Sequence, residues 1–278
     1  MKLSAQAFLQ AKNKRLTLLG MSGVGKTHLA KLLGEEKGYF HYSGDYRIGS
    51  AYLNEAILNN IKKRICQDNY LKNLLADESI SVANHITFEN LSSVANFLGK
   101  VGNPEKGGLP IDEFSLRQKL HLKAEIKAML DIEKFIKKAA NDGSDHFIND
   151  AGGSLCELDD ERVYEFLAKH TLILYIRASD KNKATLIERA KTHPKPLYYQ
   201  PDFLKKQLEI FLQKNQLTYV AEINPDDFVR WVFPRLLEYR TPKYEAIAKR
   251  YGYSIDSEEL YQCKNADEVE SLIVEALD

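Results

Sequence analysis

The sequence predicts an α/β fold in which a parallel β-sheet lies between two layers of helices. Short apolar runs rich in β-branched and aromatic residues are spaced widely along the 278 residues, and stretches with apolar residues at helical spacing separate them. The first run leads through a glycine-rich turn directly into a helical pattern. Because strands that alternate with helices form parallel sheets covered on both faces, we predict a three-layer α/β sandwich.

The first strand is predicted at Arg15–Leu19, where the sequence RLTLL is a short apolar run after a charged leader. Three later runs are predicted as strands of the same sheet: Tyr39–Ser43, 146–149 and 172–176. Two further runs, 217–223 (LTYVAEI) and 251–255 (YGYSI), compete for the remaining place. Both are short and largely apolar, so the sequence leaves that choice open.

A large helical insertion is predicted between the second and third strands, because a simple crossover needs only about a dozen residues. We therefore expect residues 1–50 and 146–278 to form the core and residues 51–145 to form the insertion, which would bind an acceptor or a partner. Apolar residues at helical spacing mark two faces of it. One face is expected to carry Leu53, Ile57, Ile61 and Ile65, and the other Leu116, Leu120, Ala124 and Leu130.

The turn after the first strand has the sequence GMSGVGKT, from Gly20 to Thr27, and matches the pattern G-x-x-x-x-G-K-[ST] in full. Glycines allow backbone N–H groups to point inward around an anion, and the helix that follows adds its positive end. In such a loop the lysine contacts the β- and γ-phosphates and the final hydroxyl holds Mg²⁺. The sequence therefore predicts a site for ATP and Mg²⁺. We expect the nucleotide to be bound by Gly20, Ser22, Gly23, Val24, Gly25, Lys26, Thr27 and His28.

Composition and charge bear on nucleic-acid binding, on cellular compartment and on membrane insertion. The chain has 39 basic and 39 acidic residues, and residues 51–145 carry 13 of each sign, so nucleic-acid binding is not expected. The three cysteines are odd in number and lack metal-ligand spacing, which is typical of reduced thiols in a cytoplasm. No signal peptide or membrane-spanning segment is predicted. We expect a cytoplasmic protein.

Five elements, taken in order, resemble the shikimate kinase and nucleoside monophosphate kinase branch of P-loop phosphotransferases. The first is the loop GMSGVGKT with the following HLAKLL. The second is Ser43-Gly44-Asp45, similar to an Asp-x-Asp element of shikimate kinases, with serine in place of the first aspartate. The third is HFINDAGG, residues 146–153. The fourth combines Arg189 with Lys195-Pro196-Leu197, and the fifth is Arg240-Thr241-Pro242-Lys243-Tyr244.

The resemblance implies a role for each of these elements. Asp45 would contact the acceptor hydroxyl, and Asp150 would act on Mg²⁺ or share the role of base. Arg189 would act in catalysis from a lid over the phosphates, and Lys195, where the family has arginine, would bind the nucleotide there. The acceptor would also be contacted by Gly152, Gly153 and Arg240, the last through the acceptor's anionic group.

Other positions are weaker candidates. Arg47, two residues after Asp45, is expected to reach an acceptor carboxylate or phosphate, although a solvated arginine at a helix start would look the same. Arg117, His121 and Glu125 fall on one helix face, which predicts either a wall of the acceptor pocket or a solvated, salt-bridged surface. Lys106, in a glycine-rich loop, is a candidate phosphate contact.

We therefore predict an ATP- and Mg²⁺-dependent kinase that acts on a small-molecule acceptor. The insertion is larger than expected for an ordinary shikimate kinase. The chain also resembles bacterial proteins described only as ATPases, with which it shares 102–104 (GNP) and 152–157 (GGSLCE). The alternative is thus an ATP hydrolase or a nucleotide-dependent switch whose insertion binds a protein partner.

Overall fold

A computed structural model of the chain describes residues 2–278 and contains one sheet of five parallel strands in the order β2-β3-β1-β4-β5. The strands are Arg15–Leu19 (β1), Tyr39–Ser43 (β2), His146–Asp150 (β3), Leu172–Arg177 (β4) and Gly252–Asp256 (β5). The predicted fold class is confirmed. The last place in the sheet belongs to the run at 251–255, whereas 217–223 contains a short 3₁₀ turn, Val220–Glu222.

Fourteen α-helices surround the sheet within the described residues. They are Ala5–Gln10 (α1), Lys26–Lys37 (α2), Gly44–Arg47 (α3), Asn54–Ile65 (α4), Asn69–Ala76 (α5), Ser92–Leu98 (α6), Ile111–Leu130 (α7), Ile132–Asn141 (α8), Glu161–His170 (α9), Asp180–Thr192 (α10), Pro201–Lys214 (α11), Pro225–Tyr251 (α12), Ser257–Gln262 (α13) and Ala266–Leu277 (α14). Among residues 2–278, no helix has both the length and the apolar character needed to cross a membrane.

The strand register fixes which loops meet at the carboxyl edge of the sheet. Leu18 of β1 lies opposite Asp150 of β3, and Ser43 of β2 lies opposite the same residue. The turns that leave β1, β2 and β3 therefore emerge side by side. In open parallel sheets this edge is where ligands bind.

Residues 51–145 contain α4 to α8, joined in part by a segment without helix or strand at 77–91, which we call the strap. The predicted face of α4 is partly correct, because Leu53 and Ile57 are buried while Ile61 is half-buried. The predicted apolar face of α7 is also only partly correct. Ala124 is buried and Leu120 is half-buried against the core, whereas Leu116 is 53% exposed and Leu130 is 45% exposed. The helix also turns the polar side chains of Arg117, Gln118, His121 and Glu125 inward.

Residues 51–145 and the C-terminal half share an apolar cluster separate from the one around the sheet. Its members are Val101, Leu109, Phe114, Tyr199, Phe203, Leu204, Leu208, Phe211, Ile223, Phe228, Val232 and Leu236. The loop at 99–108 belongs to this packing, since Asn103 N donates a 2.8 Å hydrogen bond to Ile223 O. Lys106 is exposed on this loop, whose contacts serve packing between segments. The division into core and insertion remains a prediction about how the chain is organised.

Candidate functional site

The turn between β1 and α2 has the backbone that a phosphate loop needs. Gly23 has φ 96° and Gly25, which precedes the first turn of α2, has φ 104°, values that only glycine adopts readily. A Cβ on Gly23 would also lie 2.8 Å from Leu186 Cδ2. The amides at the start of α2 are thus presented at the end of an open turn, where an anion is favoured.

Lys26 is folded back into this turn. Its amine donates hydrogen bonds to Gly20 O at 2.8 Å and to Met21 O at 3.0 Å, and the residue is only 7% exposed. Burial lowers the pKa of Lys26, against the nearby Asp150 and Asp45 carboxylates, which favour the charged form. The amine has two carbonyl partners that a stronger, anionic partner can replace.

Thr27 and Asp150 meet across the sheet edge. Thr27 Oγ1 donates a 2.6 Å hydrogen bond to Asp150 Oδ2, and His41 Nε2 lies 3.6 Å from the same oxygen. A hydroxyl and a carboxylate are hard oxygen donors, so the pair fits Mg²⁺, which takes one or two protein ligands and completes its shell with phosphate and water. Within residues 2–278, no group of three His, Cys, Asp or Glu side chains could hold a metal by itself.

Asp45 lies at the start of α3, where Ser43 Oγ accepts a hydrogen bond from Tyr46 N and caps the helix. Its carboxyl group is reached by solvent through the pocket, yet the surrounding protein atoms replace much of its bulk water. This desolvation raises the pKa of Asp45 to about 6, with a further contribution from the Asp150 charge and an opposing one from Lys26. Asp45 is therefore about half-ionised near pH 6 and mostly ionised at neutral pH.

A cavity of about 610 Å³ joins these groups. Lys26, Thr27, Asp45 and Asp150 line it, together with Phe88, Glu89 and Leu91 of the strap. Phe88 of the strap is 45% exposed and packs against Tyr46 and His41, with ring centroids 4.7 Å and 5.4 Å apart. The volume lies within the range usual for small-molecule sites.

The two predicted lid residues lie beside a second, smaller cavity of about 190 Å³, which shares Ser22 and Gly153 with the first. Arg189 and Lys195 both line it and are exposed. Arg189 Nη1 lies 3.5 Å from the position of a Cβ on Gly23, so this arginine is already next to the phosphate loop. Within the described residues neither side chain is held in an ion pair.

Arg240 is placed differently from the expectation of an acceptor anchor. It is 3% exposed and its guanidinium donates to Gly153 O at 2.9 Å, to Tyr198 O at 2.9 Å and to Glu157 Oε2 at 3.1 Å. Nη1 and Nη2 are thus engaged by the protein, and Nε is buried without a partner. The geometry supports a positioning role beneath the Gly152–Gly153 turn instead of direct contact with an acceptor.

Arg47 also differs from the prediction. Its guanidinium forms an ion pair with Asp131 Oδ2 at 2.6 Å and lies over the rings of Tyr52 and Phe135. The Asp131 carboxylate raises the pKa of Arg47 despite opposing desolvation. Arg47 is not among the residues that line either cavity, because Asp131 at the end of α7 holds it on another face of α3.

The glycine turn after β3 lies against both the phosphate loop and Asp45. A Cβ on Gly153 would lie 2.9 Å from Ser22 N, and a Cβ on Gly152 would lie 3.0 Å from Asp45 Oδ1. Gly153 O also accepts hydrogen bonds from Arg240 and from Tyr244. Both glycines are needed for this close approach of two loops.

Sequence reasoning gave Glu125 too little weight and missed Ser154 and Tyr261. Glu125 is fully buried and accepts a 2.6 Å hydrogen bond from Ser154 Oγ. Tyr261, on α13, donates to Gly23 O at 3.1 Å and packs beside Gly25. The signal for Glu125 was the row Arg117, His121, Glu125, which is buried and not a solvated surface. Arg117 has a structural role: it joins α7 to α6, because it donates hydrogen bonds to Phe97 O and to Glu113.

The sheet order, the glycine loop after β1 and the parallel strands define a P-loop fold. The sequence matches no protein-family model and no curated protein. Three solved structures that resemble the chain are shikimate kinases, each 16% identical to it. The enzyme from Bacteroides thetaiotaomicron covers 94% of both chains with a TM-score of 0.44.

The shikimate kinase from Acinetobacter baumannii, solved in complex with shikimate, covers 98% of this chain and 97% of its own, with a TM-score of 0.35. The enzyme from Aquifex aeolicus covers 81% and 97%, with a TM-score of 0.27. Identities and TM-scores this low transfer neither activity nor substrate to this chain. Its function has to be argued from its own site.

Proposed function

We propose that this protein is a kinase that transfers the γ-phosphoryl group of ATP to a hydroxyl group of a small molecule. The observation that carries the proposal is the position of Asp45. Its carboxyl group lines the same cavity as the Lys26 amine and the Thr27–Asp150 pair. A phosphate-binding loop and a carboxyl group that can accept a proton thus face one space, as phosphoryl transfer to a hydroxyl requires.

Lys26 and the amides at the start of α2 would bind the β- and γ-phosphates. Thr27 and Asp150 would hold Mg²⁺, one directly and the other directly or through water. When bound, the metal neutralises charge on the phosphates during transfer. Because Lys26 and the Thr27–Asp150 pair sit on rigid elements, the charges that bind the phosphates are oriented before the nucleotide arrives.

Asp45 would accept or orient the proton of the attacking hydroxyl. A base must be ionised to do so, and a pKa of about 6 leaves most Asp45 side chains ionised at neutral pH. The same value makes the group more basic than an ordinary aspartate. Both properties suit a general base that works near neutrality.

Arg189 and Lys195 would close over the phosphates from the side of the second cavity. Both are cations on exposed, unpaired side chains next to the phosphate loop, and closure would exclude water from the γ-phosphate. Arg240 would act on the acceptor indirectly, through Gly153. The acceptor would lie between Asp45, the glycine turn and Phe88, which line the same cavity.

A hydrolase or nucleotide switch with a protein partner is the rival function, and one observation favours it. Helix α5 in the insertion has no buried residue, and Tyr70 on it is 70% exposed. Apolar side chains presented in this way are common at protein-binding surfaces.

The three cysteines are unpaired, which supports a reducing, cytoplasmic setting for either function.

The two functions are separated by following ATP consumption in the presence of fractionated small-molecule extracts. A kinase releases ADP faster with the right fraction, and ³¹P NMR then shows a new phosphoryl ester in place of inorganic phosphate. Asp45→Asn should abolish the stimulation, and Asp142→Asn, at an exposed position after α8, serves as the matched control. ADP release that no fraction changes, with inorganic phosphate as the only product, would favour the hydrolase.

A further inference from the structure

Glu125 is a buried carboxyl group without a cationic partner. It has no exposed surface, its Oε2 accepts a hydrogen bond from Ser154, and its Oε1 has no hydrogen-bond partner. His121 Nδ1 lies 3.8 Å from Oε2, but burial lowers the pKa of His121 to about 4, so its ring is neutral near pH 7. Among residues 2–278, no lysine or arginine lies within ion-pair distance of Glu125. An ionised carboxylate in such a place is very costly.

The unpartnered oxygen of Glu125 approaches the proposed base. A Cβ on Gly152 would lie 2.8 Å from Glu125 Oε1 and 3.0 Å from Asp45 Oδ1. The two carboxyl oxygens therefore flank the same point above Gly152, and only the missing side chain leaves room for both. The charges of two carboxylates this near to one point repel each other, which favours the protonated form of one of them.

The surroundings decide which carboxyl group is protonated. Burial raises the pKa of Glu125 to about 8; the Ser154 hydrogen bond and Arg240 oppose this shift, and Asp45 and Glu157 add to it. Asp45 is solvent-accessible and has the lower pKa, so the proton belongs to Glu125. The titratable groups that face Glu125 from the neighbouring elements are Lys26, Asp45, His121, Glu157, Tyr164, Tyr198 and Arg240.

We propose that Glu125 is a positioning residue of the acceptor site: a neutral carboxyl group whose Oε2 accepts a hydrogen bond from the Ser154 hydroxyl and whose protonated Oε1 is available to donate one to Asp45 across Gly152. This inference rests on the proposed function, because Asp45 is its base. Glu125 keeps its proton throughout and touches no substrate. It leaves Asp45 Oδ2 free for the acceptor and ties the base to the turn that carries Ser154.

The protonation of Glu125 is measured directly by ¹³C NMR of protein labelled at the glutamate carboxyl carbon. The resonance lost in Glu125→Gln identifies the residue. We expect a titration midpoint near pH 8, well above the ordinary glutamate value of 4.5, and the amide signals of Gly152 and Gly153 should move with the same midpoint. A Glu125 midpoint near the ordinary value, or glycine amides that ignore it, would overturn the inference. Neither result depends on whether the protein is a kinase.

The positioning role is tested by the pH profile of Mg·ATP turnover. The amide of Glu125→Gln can accept from Ser154 and donate to Asp45 without titrating, so the variant should keep turnover within about threefold at pH 7. Wild-type turnover should fall at least tenfold between pH 7 and 9.5, and the variant should lose this alkaline decline. Glu113→Gln, near the start of the same helix, is the control and should keep it. An alkaline decline retained by Glu125→Gln would leave Glu125 a structural residue only.

Discussion

The hydroxyl of Thr27 donates a 2.6 Å hydrogen bond to Asp150 Oδ2 and so joins the first turn of α2 to the end of β3. The sheet itself sets this contact, since Leu18 and Asp150 are register partners and the phosphate loop begins two residues later. The two oxygens that we assign to Mg²⁺ are thus fixed by backbone pairing. Such fixed oxygens reduce the reorganisation needed when a metal binds.

Thr27→Ala and Asp150→Asn should each lower the affinity for Mg²⁺ in the presence of ATP by roughly 10–100-fold, the range typical of substitutions around metal sites. Because the two side chains share one hydrogen bond, the double variant should lose less than the product of the two effects. Titration of Mg²⁺ at fixed ATP measures this. Thr185→Ala removes an exposed hydroxyl on α10 and is the control. Multiplicative losses would mean that the two oxygens do not act on one metal.

Asp45 predicts an acid limb in the rate profile. The residue must be ionised to accept a proton, and its raised pKa of about 6 means that protonation begins at mildly acidic pH. Acceptor-dependent turnover should therefore fall as the pH drops below about 6. Asp45→Asn should reduce turnover by roughly 10²–10⁴-fold at all pH values. A rate that stays constant down to pH 4.5 in a folded protein would contradict the assignment.

Glu125 predicts a pH dependence of folding stability. Its pKa is raised in the folded state from 4.5 to about 8, so the folded protein binds the proton more tightly than the unfolded chain. The stabilisation is complete below the unfolded value and is lost as the pH rises to about 8, by about 1.4 kcal/mol for each pH unit in that window. Urea unfolding at pH 5 and pH 8.5 tests this. The wild-type free energy of unfolding should fall more steeply than that of Glu125→Gln, and equal slopes would be the opposing result.

Phe88 predicts that the strap contributes to acceptor binding. It packs against Tyr46 and His41 and lines the same cavity as Asp45. Phe88→Ala should raise the KM for the acceptor about tenfold, equal to about 1.4 kcal/mol, with little change in the KM for ATP. Tyr70→Ala removes an exposed ring that lines neither cavity and is the control. A rise in the KM for ATP alone would place the nucleotide against the strap.

Local patterns were enough to predict most of the sheet. Arg15–Leu19 and Tyr39–Ser43 form strands as expected, and so do the runs at 146–149 and 172–176, because each is short, apolar and followed by a turn or a helix. The fifth strand could not be chosen in advance, since 217–223 is as apolar as 251–255. In the structure, segment 217–223 is not part of the sheet. Its two ends pack against α11 and the start of α12.

The side-chain partners of the arginines could not be predicted from the sequence. Arg240 is paired with Glu157 and Arg47 with Asp131, and each pair is 83 or 84 residues apart. Spacing along one helix also misled the reading of α7. An amphipathic pattern normally places polar side chains in water, but here Arg117, His121 and Glu125 are buried while Leu116 and Leu130 are exposed. The catalytic and binding roles of the individual residues remain predictions.

The measurement that tests the central claim most directly is calorimetric titration of the protein with ATP in the presence of Mg²⁺, repeated with Lys26→Ala. The amine of Lys26 should exchange the Gly20 and Met21 carbonyls for phosphate oxygens, so the wild type should release heat and bind with a micromolar Kd. Lys26→Ala should keep its melting temperature and lose binding by at least 100-fold, while Lys63→Ala, at an exposed position on α4, should bind normally. No heat from the wild type, or equal affinity in Lys26→Ala, would contradict the account.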